Sequence, residues 1–273
     1  EGRGRRRWRS IFYAVLMSRG RIGLVCFKPD IVLLNPALGD KALKRDFRDL
    51  NICRLFRKKT SVFIHGFNFE YAKNADWKWI SANLNKALCI FVLSQDFKNE
   101  LIRRGIKSDI HLTSTKVPDY FISGFDLSMR QGKAENIMYS GRIEKAKGVY
   151  ETVDTFSILK SQYKDLTLTF VGDGSELPML KQYVENKKIK DVRFTGELRG
   201  EDFKKEYINA DMYLFLSYTE GMPTVVLEAM IFGLPIFTRK VGGLIDFFEN
   251  GKMGYISSSL DPAVFAEAMK PYI

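Results

Sequence analysis

Long apolar runs are missing from this chain of 273 residues. No stretch reaches the roughly 18–20 residues of a membrane-spanning helix. The longest candidates, Ile11–Met17 and Ile22–Phe27, are short and are parted by Arg19 and Arg21. The opening Glu1-Gly2-Arg3-Gly4-Arg5-Arg6-Arg7-Trp8-Arg9, followed by Ile11–Met17, imitates a signal peptide. Its apolar part is too short and no cleavage-like site follows, so secretion is not expected. Cysteine is scarce: Cys26, Cys53 and Cys89 are odd in number, well separated and set in apolar surroundings. That pattern excludes a disulfide framework and fits reduced, buried thiols in a cytosolic protein. Two histidines, His65 and His111, leave little room for a His-based metal site. The aromatics form no RRM-like stacking signature, which weighs against RNA binding.

What is present is the composition of a globular chain, 45% hydrophobic and 27% charged, long enough for two modest domains. The net charge of +11 is unevenly spread. Residues 1–130 hold 25 Lys/Arg against 12 Asp/Glu, hence +13, and residues 131–273 hold 18 against 20, hence −2. A basic first half suits an anionic membrane surface or nucleic acid, and equally a general solubility charge.

Apolar runs alternate with helical patterns throughout. In the first half, strands are expected at Asp30–Leu34, Ser61–Ile64, Cys89–Leu93 and Ile110–Leu112. A basic amphipathic helix is expected ahead of the first, and helices at Lys41–Lys58, around Trp77–Ala87, and from Ser94-Gln95 to Gly105. Val117–Gly132 reads as a connection. In the second half, strands are expected at Ile137–Tyr139, Leu166–Val171, Val192–Thr195, Met212–Leu216, Ile236–Thr238 and Gly254–Ile256, with helices between them. This alternation predicts parallel α/β sheets, with a domain of residues 1–130 and a second of residues 131–273. In open parallel sheets ligands gather at the carboxyl ends of strands, and the Gly-rich turns all fall at such ends.

One stretch organises the rest: Ser217-Tyr-Thr-Glu-Gly-Met-Pro-Thr-Val-Val-Leu-Glu228. A strand runs into a loop carrying Gly221 and Pro223, and a helix starts near Pro223 or Thr224 and stops at Gly233. Backbone N–H groups and the helix dipole make that loop suited to an anion. Glu220 and Glu228, beside an anion site, suit the hydroxyls of a sugar better than a phosphate; the same spacing also fits a loop Glu and a solvated helix Glu. Arg142 and Lys147 place two cations around the loop after Tyr139, able to grip a diphosphate or simply solvated. Gly172-Asp173-Gly174 fits an ordinary turn or a close backbone approach to a ligand. His65 ends a buried strand and precedes Gly66.

Taken together, Ser140-Gly141-Arg142…Lys147-Gly148, Val171-Gly-Asp-Gly174, Phe194-Thr-Gly196, Ser217-x-x-Glu220-Gly-x-Pro…Glu228-Ala-Met, Gly233-x-Pro235 and Val241-Gly-Gly243…Asn250-Gly251…Gly254 resemble glycosyltransferase family 4, the retaining nucleotide-sugar enzymes. The resemblance is specific over about residues 136–257. It is looser over 29–120, through Pro29-Asp-Ile-Val32, His65-Gly66 and Phe91-Val-Leu-Ser94. It implies a GT-B architecture of two Rossmann-like parallel-sheet domains facing a cleft, with the amino-terminal one incomplete and the chain truncated at both ends. It implies a donor site for a UDP- or GDP-linked sugar, with Glu220, Gly221, Met222, Pro223 and Thr224 on the sugar and its phosphate, and Glu228 on the ribose hydroxyls. Arg142 and Lys147 clamp the diphosphate in that scheme. Gly141, Gly172 and Gly174 line the donor site, Gly196–Leu198 borders the base, and His65 reaches the sugar from the first domain. No metal and no protein nucleophile are implied. The acceptor implied is a glycan or lipid-linked saccharide in bacterial polysaccharide or lipopolysaccharide assembly. The place is cytoplasmic, with peripheral contact at the inner membrane face through residues 1–130. A non-enzymatic nucleotide-sugar-binding module and a basic nucleic-acid-binding protein stand as alternatives.

Overall fold

The computed structural model describes residues 29–67, 69–130 and 134–273. Ile11–Met17, Ile22–Phe27, Cys26 and the basic stretch expected as a helix before the first strand lie outside them. The chain divides into two compact units, the first ending at Ser114 and the second running from Thr115 to Ile273.

In the first unit β1 (Ile31–Leu34), β3 (Lys59–Ile64), β5 (Cys89–Val92) and β6 (Asp109–Leu112) form a parallel sheet in that order. Alternate positions such as Val32, Leu34, Val62, Ile64, Ile90 and Val92 are buried, which is why these short apolar runs settle as strands. A two-residue pair, β2 (Ala37–Leu38) with β4 (Gly66–Phe67), was not expected. Neither was the short α2 (Phe69–Asn74). The helix α1 (Asp40–Leu55) buries Leu43, Phe47, Leu50 and Cys53 at helical spacing. Its opposite face exposes Lys41, Lys44, Arg45 and Arg48. At its end Leu55 is 80% exposed and Phe56 44%. α3 (Trp77–Leu84) is capped by Asp76 and α4 (Gln95–Arg103) by Ser94, whose side chains accept from Trp79 N–H and Phe97 N–H. Of the cysteines described, Cys53 is buried and Cys89 only half-buried, and both are free thiols.

The second unit holds a six-stranded parallel sheet. Its strands are β7 (Asn136–Ser140), β8 (Thr167–Val171), β9 (Val192–Phe194), β10 (Met212–Phe215), β11 (Ile236–Arg239) and β12 (Gly254–Ser257). They lie in the order β12-β11-β10-β7-β8-β9. Every residue of β10 is buried, as expected of a central strand covered on both faces. The helices are α5 (Val149–Gln162), α6 (Leu177–Asn186), α7 (Gly200–Asn209), α8 (Thr224–Ile231) and α9 (Pro262–Met269). β7 comes first in sequence, yet β8 and β9 build out on one side of it and β10 to β12 on the other. The winding therefore reverses between β7 and β10. Crevices for ligands open at such a reversal, outside the carboxyl ends of the strands.

The division at Ser114/Thr115 corrects the expected boundary at 130. Residues 115–130 belong to the second unit because their side chains dock there. Phe121 packs against Phe203, Tyr207 and Phe232, and Phe125 against Phe232. Arg130 donates to three backbone carbonyls, from Nε to Phe232 O at 2.5 Å, from Nη2 to Tyr207 O at 2.8 Å, and from Nη1 to Ala210 O. It thus serves the orphan carbonyls at the ends of both α7 and α8. Among the described residues no helix is long and apolar enough to cross a membrane.

Candidate functional site

Four loops leave the carboxyl ends of the second unit's strands, and glycine lets them touch. Gly148, at φ +69, caps the start of α5; a Cβ there would lie 2.0 Å from Leu216 O, at the end of β10. A Cβ on Gly172 would meet Gly141 O at 2.0 Å, on Gly174 Ile143 O at 2.4 Å, and on Gly242 Gly221 O at 2.1 Å. The close approach made by Gly172 and Gly174 is therefore to a neighbouring loop. Hydrogen bonds follow two of these seams and add one to the loop after β9. Tyr218 N–H donates to Ala146 O at 2.9 Å, Gly243 N–H to Gly221 O at 2.8 Å, and Gly172 N–H to Gly196 O at 2.8 Å.

This knitting brings together residues far apart in sequence. Lys147, from the loop after β7, donates to Glu220 Oε1, from the loop after β10, at 2.6 Å. Their side chains are 16% and 13% exposed, so the pair sits half-sheltered at the winding reversal. Arg142 shares the Lys147 loop but points outward: its side chain is 70% exposed and its Nη1 contacts Glu144 Oε1 at 2.8 Å. The backbone following Glu220 runs through Gly221 and Met222 into α8, whose N-cap is Pro223, with no side chain capping the helix. Its first-turn N–H groups, beginning at Thr224, suit an anion.

Glu228 lies one turn into α8, half-buried. Burial pushes its carboxyl above the ordinary range, while the hydrogen bond from the Tyr207 hydroxyl, at 2.9 Å, opposes that shift. The solvated-helix alternative for Glu228 does not hold. Behind it, Ser140 Oγ lies 2.8 Å from the Tyr207 hydroxyl and 2.9 Å from that of Tyr213. Burial drives both phenols well above their usual range, so they remain protonated donors. Sequence reasoning missed these tyrosines, because a Tyr inside a helix or strand pattern reads as core. It also missed Arg239, 3% exposed, which donates to Leu216 O at 3.0 Å and lies 4.2 Å from the Tyr218 ring centroid.

A carboxylate held above its ordinary range sets a sign for stability. The folded state binds that proton more tightly than the unfolded chain, so stability present at low pH is lost as pH rises through the raised value. Glu228→Gln is expected to melt higher than wild type at neutral pH, by roughly 1–3 °C. The gap should close as pH falls through the ordinary carboxylate range. A melting series in ligand-free buffer checks this, and equal melting temperatures at every pH would contradict it.

The turn bordering the other flank, Gly196–Leu198, follows β9 and is joined to Gly172 by an isolated bridge; Leu198 is half-buried. His65 belongs to the first unit. It follows β3 of the first unit, exposed, with Nδ1 2.9 Å from Asn35 Oδ1. Among the described residues, no group of three or more His, Cys, Asp or Glu could hold a metal ion.

Residues 128–273 match the family model described as glycosyl transferases group 1. Glycogen synthase of Mycobacterium tuberculosis strain H37Rv is 30% identical over 142 residues, which cover 52% of this chain and 34% of that protein. The GDP-mannose-dependent alpha-mannosyltransferase of Corynebacterium glutamicum is 25% identical over 244 residues, 86% of this chain and 57% of that protein. The chain spans about a third of the first and just over half of the second. Among solved structures, Anabaena Alr3699/HepE in complex with UDP aligns with a TM-score of 0.71 at 18% identity, over 93% of this chain and 71% of that one. The pneumococcal O-GlcNAc transferase GtfA, in complex with UDP and GlcNAc, gives 0.68 at 20% identity, over 92% and 51%. At such identities these likenesses establish the fold, an α/β GT-B fold of Rossmann-like parallel sheets. With more than half of the chain inside the family match, the protein belongs to the glycosyl transferases group 1.

Proposed function

We propose that this chain carries the donor site of a retaining glycosyltransferase that moves a sugar from a nucleoside diphosphate to a hydroxyl of a glycan or lipid-linked saccharide. The observation that carries the reading is the meeting of Lys147 and Glu220 at the winding reversal, beside the uncapped start of α8. A cation, a carboxylate and free N–H groups are what a sugar diphosphate requires at its phosphate and hydroxyl ends. In this reading Lys147 and the outward Arg142 neutralise the diphosphate as it leaves, so no metal is required. Glu220 and the backbone of Gly221, Met222, Pro223 and Thr224 grip the sugar and its phosphate. Glu228 takes the ribose hydroxyls, and Gly141, Gly172, Gly174 and Gly196–Leu198 shape the nucleotide's bed. Front-face attack, with the phosphate taking the acceptor proton, needs no protein nucleophile. Catalysis is then positioning and electrostatics.

The nucleotide is UDP or GDP. The GDP-mannose-dependent relative and the UDP-bound HepE structure support these two. A capsular polysaccharide biosynthesis glycosyltransferase of Staphylococcus aureus, 30% identical over 145 residues, supports a bacterial surface-polysaccharide or lipopolysaccharide setting. Lys41, Lys44, Arg45 and Arg48, with exposed Leu55 and Phe56 at the same helix's end, support peripheral contact with the anionic cytoplasmic membrane face.

A thermal-shift screen with UDP, GDP and their sugar conjugates tests the donor reading. A ligand at 100 times its Kd adds about 2.7 kcal/mol, an easily visible shift. One nucleotide is expected to shift wild type strongly and Arg142→Ala much less. Absence of any shift, together with steeply salt-dependent nucleic-acid binding, would overturn it in favour of the nucleic-acid alternative.

A further inference from the structure

Glu228 is the terminus of a buried hydrogen-bonded chain that nothing in the donor scheme requires. An ionised carboxylate only accepts, so the Tyr207 hydroxyl spends its single proton on Glu228 Oε2, 2.9 Å away. The Ser140–Tyr207 contact at 2.8 Å must then run from Ser140 Oγ to Tyr207. Ser140 Oγ, having given its proton, can only accept from the Tyr213 hydroxyl 2.9 Å away, which shares its single proton between Ser140 Oγ and the Ser140 carbonyl at 3.1 Å. The polarity of the part that reaches the carboxylate is thus fixed, Ser140 to Tyr207 to Glu228, with Tyr213 behind it. Ser140, Tyr207 and Tyr213 are each fully buried. They come from β7, α7 and β10, three elements locked into one core. A hydrogen-bonded chain of this kind polarises each member and removes rotational freedom from its last acceptor.

We propose that Tyr207, backed by Ser140 and Tyr213, is a positioning residue that sets the Glu228 carboxylate for a vicinal diol. Tyr207 does not touch the ligand. With Oε2 anchored, the carboxylate plane cannot swing, and its remaining lone pairs keep one direction, the arrangement two adjacent hydroxyls need in order to donate together. The hydroxyl also opposes the burial that would neutralise Glu228, keeping it an acceptor to lower pH. No other described charged group faces this carboxylate strongly enough to alter its proton affinity: burial and Tyr207 are the two causes acting on it.

The inference rests on the reading that Glu228 holds the ribose diol, and its test separates the two. The full chain is titrated with UDP and GDP and with their 2′,3′-dideoxy counterparts, in wild type, Glu228→Gln and Tyr207→Phe. Wild type should prefer the ribonucleotide, and Glu228→Gln should lose that preference. Tyr207→Phe, which keeps the ring and removes one oxygen, should shrink the preference about tenfold. It should also move the acid limb of ribonucleotide binding to higher pH, a change that loosened packing alone would not produce. If Glu228→Gln abolishes the preference while Tyr207→Phe keeps both the ratio and the acid limb, the positioning role is wrong. If wild type does not distinguish the two nucleotides, the ribose reading itself fails and takes the inference with it. Should Tyr207→Phe not fold, Tyr213→Phe, which cuts the chain two links earlier, is expected to give the same changes at smaller amplitude; no change there would overturn the role.

Discussion

Gly148→Ala is expected to cost the second unit about 2–5 kcal/mol, a large share of the stability of an ordinary domain. Two penalties add at this position. The backbone sits at φ +69, in the left-handed region, where a residue with a Cβ pays about 1–2 kcal/mol. The new Cβ would also lie 2.0 Å from Leu216 O, a backbone atom at the end of the fully buried β10, where no side chain can swing aside. Overpacking against such a wall costs a further ~1–3 kcal/mol. Gly196→Ala isolates the first penalty, since φ there is +75 and nothing lies within 4 Å of the added carbon. Urea denaturation of both variants should therefore give a large loss for Gly148→Ala and a loss of about 1–2 kcal/mol for Gly196→Ala. Equal losses would mean that the approach of α5 to β10 is looser than the structure has it. Because Leu216 leads directly into the Glu220 loop, any relief of the clash should also disturb the Lys147–Glu220 pair.

How far the sequence reveals this arrangement depends on the range of the interactions involved. Met212–Phe215 and Asn136–Ser140 are legible as strands because a parallel strand covered on both faces must be an apolar run, and Gly141 marks where the second of them ends. The start of α8 is legible for the same local reason, with Pro223 before it and Gly233, at φ +70, after it. Tertiary contacts are what escape. Ala37–Leu38 and Gly66–Phe67 are two-residue strands that exist only because each is the other's partner. Residues 117–132 read as a connection, yet Phe121 and Arg130 bind the described part of it to α7 and α8 through contacts that span 102 residues (Arg130–Phe232) and 111 (Phe121–Phe232). The two carboxylates of the candidate site could be picked out, but their environments could not. That Glu220 faces a lysine 73 positions away, and Glu228 a tyrosine hydroxyl, depends on how the strands are ordered in the sheet. Strand order is not written in any local pattern.

Lys147→Ala is expected to lower turnover by about 10²–10³-fold, the loss of ~2.7–4 kcal/mol that follows removal of one preorganised charge facing the developing negative charge of a transition state. The variant has two faults. It takes away the cation that the proposed mechanism sets against the departing diphosphate, and it leaves Glu220, whose side chain is only 13% exposed, without its partner at 2.6 Å. Removing one member of a sheltered pair is costly because the survivor stays desolvated and uncompensated. Glu220→Gln separates the faults, since it keeps the size of the side chain and releases the lysine. It should bind the nucleoside diphosphate at least as tightly as wild type while losing turnover about 100-fold, because the carboxylate that orients the sugar is gone. Lys147→Ala should lose both nucleotide affinity and turnover. Steady-state kinetics with the donor found by the thermal screen, and titration with its nucleoside diphosphate, read the two quantities apart. The double variant completes the cycle: its loss in turnover should fall well short of the product of the two single losses, since the pair acts as one unit. If either single variant kept turnover within about twofold of wild type, the assignment of the winding reversal between β7 and β10 as the donor site would be wrong.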